Sequence, residues 1–301
     1  ISLLTLFLLQ RVQRPLFRWV KYAGNWSPEA SEAWSYTLQR RWLTRNRHRG
    51  VVTVNGQWPD QPDHVKSFFN PSLMDEELTL GQKVAADKTL ALPLELLFVG
   101  ALNDAKGVDR VLQICLALQQ LDIPFNLSLV GDGSDRVRYE AWVAQQGLLN
   151  VFFHGWVPRQ EIPRFVGQSH FILLPSRSSE GWPKVLSEAM AFGAVPIASS
   201  VSSIPQILLA TKAGVSLAAD DTNGVAAAMC HFVDNPQSWL EMSRAGLKAA
   251  RNFTYRYYQE AVSSLFAETW DLQLVNSSEH SGLEPRETNE LGAGSLPRLP
   301  L

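Results

Sequence analysis

Glu180 and Glu188, separated by seven residues, lie in the stretch Ser176-Arg177-Ser178-Ser179-Glu180-Gly181-Trp182-Pro183-Lys184-Val185-Leu186-Ser187-Glu188-Ala189-Met190. A carboxylate accepts hydrogen bonds through both oxygens, which suits the paired hydroxyls of a ribose. Pro183 fits the first position of a helix, where a missing N–H costs nothing. A helix starting there presents free amides and the positive end of its dipole, which together make an anion site. Val185, Leu186, Ala189 and Met190 then face a sheet. The residues alone leave a second reading open, in which Glu180 is a cap carboxylate and Glu188 is solvated.

Lys106 adds a point charge able to reach a phosphate. It belongs to the loop Gly100-Ala101-Leu102-Asn103-Asp104-Ala105-Lys106-Gly107, where Gly100 lets a ligand approach the backbone. The loop is neither a dinucleotide fingerprint nor a Walker P-loop. An ordinary turn with a solvated lysine accounts for it equally. Gly131-Asp132-Gly133 reads as a tight turn, with Ser134 or Asp135 capping a helix. His48, His64, His170, His231 and His280 show no ligand spacing, and no Asp-x-Asp occurs. Cys115 falls on an apolar helix face and reads as inert core.

The elements that must position these residues are legible from Leu94 onward. Apolar runs at Leu94–Val99, Phe125–Val130, Val151–Phe153, Phe171–Leu174, Val195–Ala198 and Val215–Leu217 alternate with helix-period segments. Val108, Val111, Leu112 and Cys115 share one helical face. Runs without polar alternation are strands buried on both sides. Strand–helix alternation predicts an α/β, doubly wound parallel sheet, which binds ligands at the carboxyl ends of its strands. A final helix is expected over Tyr255–Leu272, and the tail 276–301 reads as disordered.

The first 78 residues are less regular. They hold the apolar run Ile1–Leu9, a turn at Gly24-Asn25 and a helix expected from Pro28 to Trp42 with Ser27 as its cap. A basic patch follows (Arg40, Arg41, Arg45, Arg47, His48, Arg49), then a strand Val51–Val54 and the turn Asn55-Gly56. The patch is either a solvated face or a contact for an anionic lipid or acceptor. Lys21, Tyr22, Asn25 and Trp26 serve either core and turn duty or an acceptor site. Residues 74–89 show no clear period and read as a linker.

With 301 residues, the chain has room for two domains. Its 46% hydrophobic content rules out whole-chain disorder. A net charge of −2 argues against nucleic acid as a partner. Two cysteines make no disulfide framework, and the expected location is cytoplasmic, with peripheral contact at the inner membrane face. Ile1–Leu9 falls far short of the roughly 20 residues of a membrane span. The chain is expected to be an N-terminally cut piece of a longer protein.

Leu97 to Asn252 resembles the nucleotide-binding half of glycosyltransferase family 4, retaining enzymes of GT-B fold. The matching residues are Phe98-Val99-Gly100, Lys106-Gly107, Val130-Gly131-Asp132-Gly133, His154-Gly155-Trp156-Val157, Leu174-Pro175-Ser176, Ser179-Glu180-Gly181-Trp182-Pro183, Val185-Leu186-Ser187-Glu188-Ala189-Met190-Ala191 and Gly193. The resemblance implies two Rossmann-like domains, the C-terminal one complete and the N-terminal one partial. The expected limits are 1–78 for the acceptor-side domain, 79–93 for a hinge, 94–254 for the nucleotide-sugar domain and 255–275 for a helix crossing back. Glu188 would hold the ribose and Glu180 would face the donor sugar. Lys106 and the amides of Gly181, Trp182, Pro183-Lys184 and Val185 would surround the diphosphate, with Gly100 beneath it. The backbone at Trp156 and Val157 would lie against the base. The partners implied are a nucleotide-sugar donor and a glycan, lipid-linked or small-molecule acceptor, with no further cofactor and no metal.

Two departures stand out. The family carries an arginine after the first loop's glycine, and this chain has Ala101. Arg110, Arg177 or Lys184 are the candidates to replace it. The family's opening strand and glycine-rich loop are not found upstream of Arg11. A binding-only scaffold, a transferase fragment and a nucleotide-sugar epimerase are the alternatives.

Overall fold

The computed structural model describes residues 3–27, 33–177, 181–275 and 299–300. The N-terminal part comprises α1 (Leu3–Leu9), β1 (Trp19–Tyr22), α2 (Trp34–Thr44), β2 (Val51–Val54), β3 (Val65–Ser67) and α3 (Asp75–Ala85). Its three strands form a parallel sheet in the order β1-β2-β3. Leu6, Val20, Tyr22, Trp26, Leu43, Val52, Val54 and Val65 make its small core.

The second part begins with β4 (Leu94–Val99), α4 (Val108–Gln120), β5 (Phe125–Val130), α5 (Arg136–Gln146) and β6 (Val151–Gly155). It continues with α6 (Ile162–Gln168), β7 (Phe171–Leu174), α7 (Lys184–Ala191), β8 (Val195–Ser199), α8 (Ile204–Thr211) and β9 (Val215–Leu217). The six strands are all parallel, in the order β6-β5-β4-β7-β8-β9. The chain moves outward from β4 to β6, returns to β7, and moves outward the other way. The switch point therefore lies between β4 and β7, where Leu96 pairs with Phe171. Leu94, Leu97, Phe98, Phe171, Ile172 and Leu173 are fully buried, as apolar runs covered on both faces require. Val108, Val111, Leu112 and Cys115 are buried together on α4, and burial pushes the Cys115 thiol's pKa far up.

Helices α9 (Thr222–Asp234), α10 (Pro236–Ala249) and α11 (Tyr255–Trp270) complete the architecture. Asp221 caps α9 through the Gly224 amide, and Thr254 caps α11 through the Tyr257 amide. Helix α11 returns to the first sheet. Phe266 meets Trp19, Trp270 meets Phe17 and Tyr258 meets Phe68, all as ring contacts.

Several local expectations are corrected. The helix expected over 28–42 runs from Trp34 to Thr44, with Ala33 at its N-cap, and residues 28–32 lie outside the described residues. Pro183 is the N-cap of α7 rather than its first residue. Within the stretch read as a linker, Asp75–Ala85 is helical and buries Leu78, Gly81 and Ala85. Strands β1 and β3 stand where the sequence reading placed none. Of the tail, Leu299–Pro300 (β11) pairs with Leu274–Val275 (β10), and 276–298 and 301 lie outside the described residues. Among the described residues, no helix is long and apolar enough to cross a membrane.

Candidate donor-binding site

The loop after β4 and the loop after β7 flank the switch point and are tied to each other. The Arg177 amide donates to the Ala105 carbonyl at 3.1 Å, and Ser176 Oγ donates to the same oxygen at 3.1 Å. Arg110 lies beneath both loops and is 2% exposed. Its Nε donates to the Pro175 carbonyl at 2.7 Å, one terminal nitrogen donates to the Asp104 carbonyl at 2.9 Å, and the other pairs with Asp109 at 3.3 Å. Arg110 is therefore a brace, and the expectation that it replaces the missing arginine fails because its guanidinium is already committed. Arg177 pairs with Asp220 at the exposed rim.

Lys106 is half-buried in this loop, and burial lowers its pKa. Its amide donates to Asn103 Oδ1 at 2.9 Å, which fixes the turn that carries it. Ala101 is exposed. At Gly100, an added Cβ would find only the Phe98 ring, at 3.4 Å. The fold thus places no steric demand for glycine there.

The loop into α7 is anchored at Gly181, whose carbonyl accepts from Ser203 Oγ at 2.5 Å and Ser202 Oγ at 3.2 Å. Gly181 also presses on the other unit. A Cβ there would lie 2.2 Å from the Ala23 carbonyl oxygen and 2.4 Å from Asn55 Nδ2. The two units touch at the carboxyl ends of β1, β2 and β7. Trp182 turns inward and stacks on Phe253, with ring centroids 5.0 Å apart and planes 12° apart. Its Nε1 donates to Ser187 Oγ at 3.3 Å, and Ser187 bonds Ser72 at 2.8 Å. Pro183 offers no side chain to cap the first amides of α7. Glu180, with Ser178 and Ser179, lies outside the described residues.

Glu188 follows Lys184 by one turn of α7, and its side chain is 13% exposed. Its Oε1 accepts from Arg159 at 2.5 Å. Arg159 also pairs with Glu77 at 2.9 Å and donates to the Ser72 carbonyl at 2.6 Å. Burial, chiefly, raises the Glu188 pKa, against the hydrogen bond and charge of Arg159. Arg159 stands two residues beyond Val157, so the carboxylate and the segment after β6 meet. Trp156 is 75% exposed, whereas Val157 packs against the core. His154 is held by Ser128 at 3.1 Å and by the Phe165 ring.

Sequence reasoning did not single out Arg159, nor place Lys21 beside the loop into α7. Lys21 lies over the Tyr258 ring at 4.4 Å. Burial, and then the charge of Lys184, lower its pKa, so the two ammonium groups sense each other across the junction of the units. The sequence named Lys21 only as a core, turn or acceptor-site residue.

A Rossmann-type strand order, a two-loop crevice at its switch point and a second parallel sheet abutting that crevice are features other proteins share. Residues 88–253 match the family described as "Glycosyl transferases group 1". The chain belongs to the group 1 glycosyltransferases. It is 30% identical over 141 residues to an amylovoran biosynthesis glycosyltransferase of Erwinia amylovora, covering 45% of this chain and 35% of that one. It is 24% identical over 242 residues to a glycogen synthase of Mycobacterium tuberculosis, covering 76% of this chain and 55% of that one. The HepE protein of Anabaena, solved in complex with UDP, superposes with a TM-score of 0.65 at 16% identity, over 88% of this chain and 75% of that one. Such likeness shows the GT-B fold. The chain spans about half the length of the curated relatives it matches.

Proposed function

We propose that this group 1 glycosyltransferase moves a sugar from a nucleotide-sugar donor to a glycan, lipid-linked or small-molecule acceptor, with retention at the anomeric carbon and without a metal. The observation that carries the reading is the pairing of the Lys106 loop with the loop into α7 across the switch point of the sheet. Cleavage of the bond between anomeric carbon and diphosphate builds negative charge on the leaving group. Lys106, Lys184 and the first amides of α7 stabilise that charge, and Lys21 adds to it from the other unit. Gly100 leaves room for the diphosphate. Oε2 of Glu188 receives a ribose hydroxyl while Arg159 holds Oε1, and the base lies along Trp156 and Val157. By its place in the motif, Glu180 is the carboxylate assigned to offset the positive charge that develops on the sugar.

Turnover of nucleotide sugars, followed by mass spectrometry with a panel of acceptors, tests this. Lys106→Ala should lower the rate by about 10²–10³ with unchanged circular dichroism. A rate equal to the parent's removes Lys106 from the mechanism. Ala101 and the committed Arg110 favour one other reading, a protein that binds the donor without turning it over. That protein would show nucleotide binding and no product.

A further inference from the structure

A pocket in the first unit plays no part in holding the donor. It lies between α2 and residues 58–62 and encloses about 470 Å³, well within the roughly 300–1,000 Å³ of small-ligand sites. Thr37, Arg41 and Thr44 line it from one face of α2, and Arg45 follows at the helix end. Trp26 and Trp58 form other walls. Among the described residues, no carboxylate pairs with Arg41 or Arg45, and Asp60 is the one acidic group on the lining.

The walls are held in place. Trp58 Nε1 donates to the Asn55 carbonyl at 3.0 Å, and its amide donates to Gln61 Oε1 at 3.3 Å. Gln61 in turn donates to the Val65 carbonyl at 2.8 Å. Arg40, also on the lining, donates to the Asn25 carbonyl at 3.1 Å. Asn55 is the residue that abuts Gly181, so one residue links the pocket wall to the loop entering the donor site. Guanidinium forks match a carboxylate in two parallel hydrogen bonds. An indole wall packs the apolar face of a pyranose, and the Trp58 N–H stays satisfied by Asn55 meanwhile. A concave pocket of this size suits one or two sugar rings, whereas a duplex or a lipid surface calls for an open basic face.

We propose that this pocket is the subsite for an acidic glycan acceptor, with its carboxylate held by Arg41 and Arg45 and its ring against Trp26 and Trp58. The assignment deepens the transferase reading and rests on it.

Calorimetric titration of the chain with trigalacturonate and with its fully methyl-esterified form tests the proposal. The acid should bind at least tenfold more tightly than the ester and weaken as salt rises. Arg41→Ala/Arg45→Ala should lose at least tenfold in affinity for the acid, and Arg41→Lys/Arg45→Lys should recover part of it. Equal affinity for acid and ester, absence of binding by both, or an unaffected double alanine variant would overturn the proposal. Stabilisation by nucleotide, measured on the same samples, keeps the two readings separate. Its presence in parent and variant shows that the donor side is intact, and its absence in the parent counts against the transferase reading alone.

Discussion

The six-stranded sheet is covered by helices encoded next to its own strands, whereas the three-stranded sheet borrows its cover from the far end of the chain. Strands β4, β5, β7 and β8 are buried against α4, α7, α9 and α10 in one continuous core. The sheet β1-β2-β3 has a small cluster of its own and is completed by Phe266, Trp270 and Tyr258 of α11. The six-stranded side is thus a self-contained platform. The opposite side depends on contacts between residues more than 180 positions apart in sequence. One half is self-supporting and so the more rigid, and the other is conditional on α11.

The largest effect should come from the core beneath the loop into α7. Trp182→Ala removes a buried indole and its stack on Phe253, a loss of about 3–5 kcal/mol. Urea denaturation should show it, and a loss below about 1 kcal/mol would mean that this stack does not hold the larger core. A smaller change sharpens the donor side. Ala101→Arg should add a charge-assisted partner for the diphosphate, worth about 1.5–3 kcal/mol or roughly 10–150-fold in nucleotide affinity. Titration of nucleoside diphosphates would measure it, and unchanged affinity would show that the lysines already saturate the site.

One histidine in each half then compares their acid sensitivity. His48 and His170 are both lowered to about 4, chiefly by burial. Between pH 6.5 and 4 the unfolded chain binds a proton that the folded chain refuses. Stability is therefore fully present above pH 6.5 and falls as pH drops toward 4, by at most about 1.4 kcal/mol per pH unit for each histidine. His170 Nδ1 accepts the Glu95 amide at 3.0 Å. His170→Asn can keep an acceptor there and should flatten this slope in denaturation curves, while an unchanged slope would assign it elsewhere. The smallest effect belongs to the borrowed cover. Phe266→Ala removes two ring contacts, each worth about 0.5–1.5 kcal/mol. Hydrogen exchange should quicken in β1 and not in β4, and equal quickening would contradict the division into a rigid and a conditional half.

The six strands of the larger sheet were legible as short, mainly apolar runs; β7 and β8 are buried throughout, whereas burial alternates along β5 and β6 and β9 is half-buried. The loops of the site followed from the strand order. Helix α3 was not legible, because small residues carry its contact face. Gly81 stands where a Cβ would lie 2.1 Å from the Ala191 carbonyl, and hydrophobicity does not record such closeness. Strand β1 was hidden by Lys21, and β3 has only three residues. Arg110 was misread because charge suggested a ligand, whereas its burial serves two loop carbonyls. The partnership of Glu188 with Arg159 joins positions 29 apart and has no local signal.

Nucleotide binding through Glu188 is the central claim, and thermal unfolding of the parent and of Glu188→Ala with UDP, GDP and ADP tests it most directly. One nucleotide, at 100 times its dissociation constant, should add about 2.7 kcal/mol to the parent. That gain should be lost in Glu188→Ala. Absence of a gain with every nucleotide, or an equal gain in both proteins, would contradict the account.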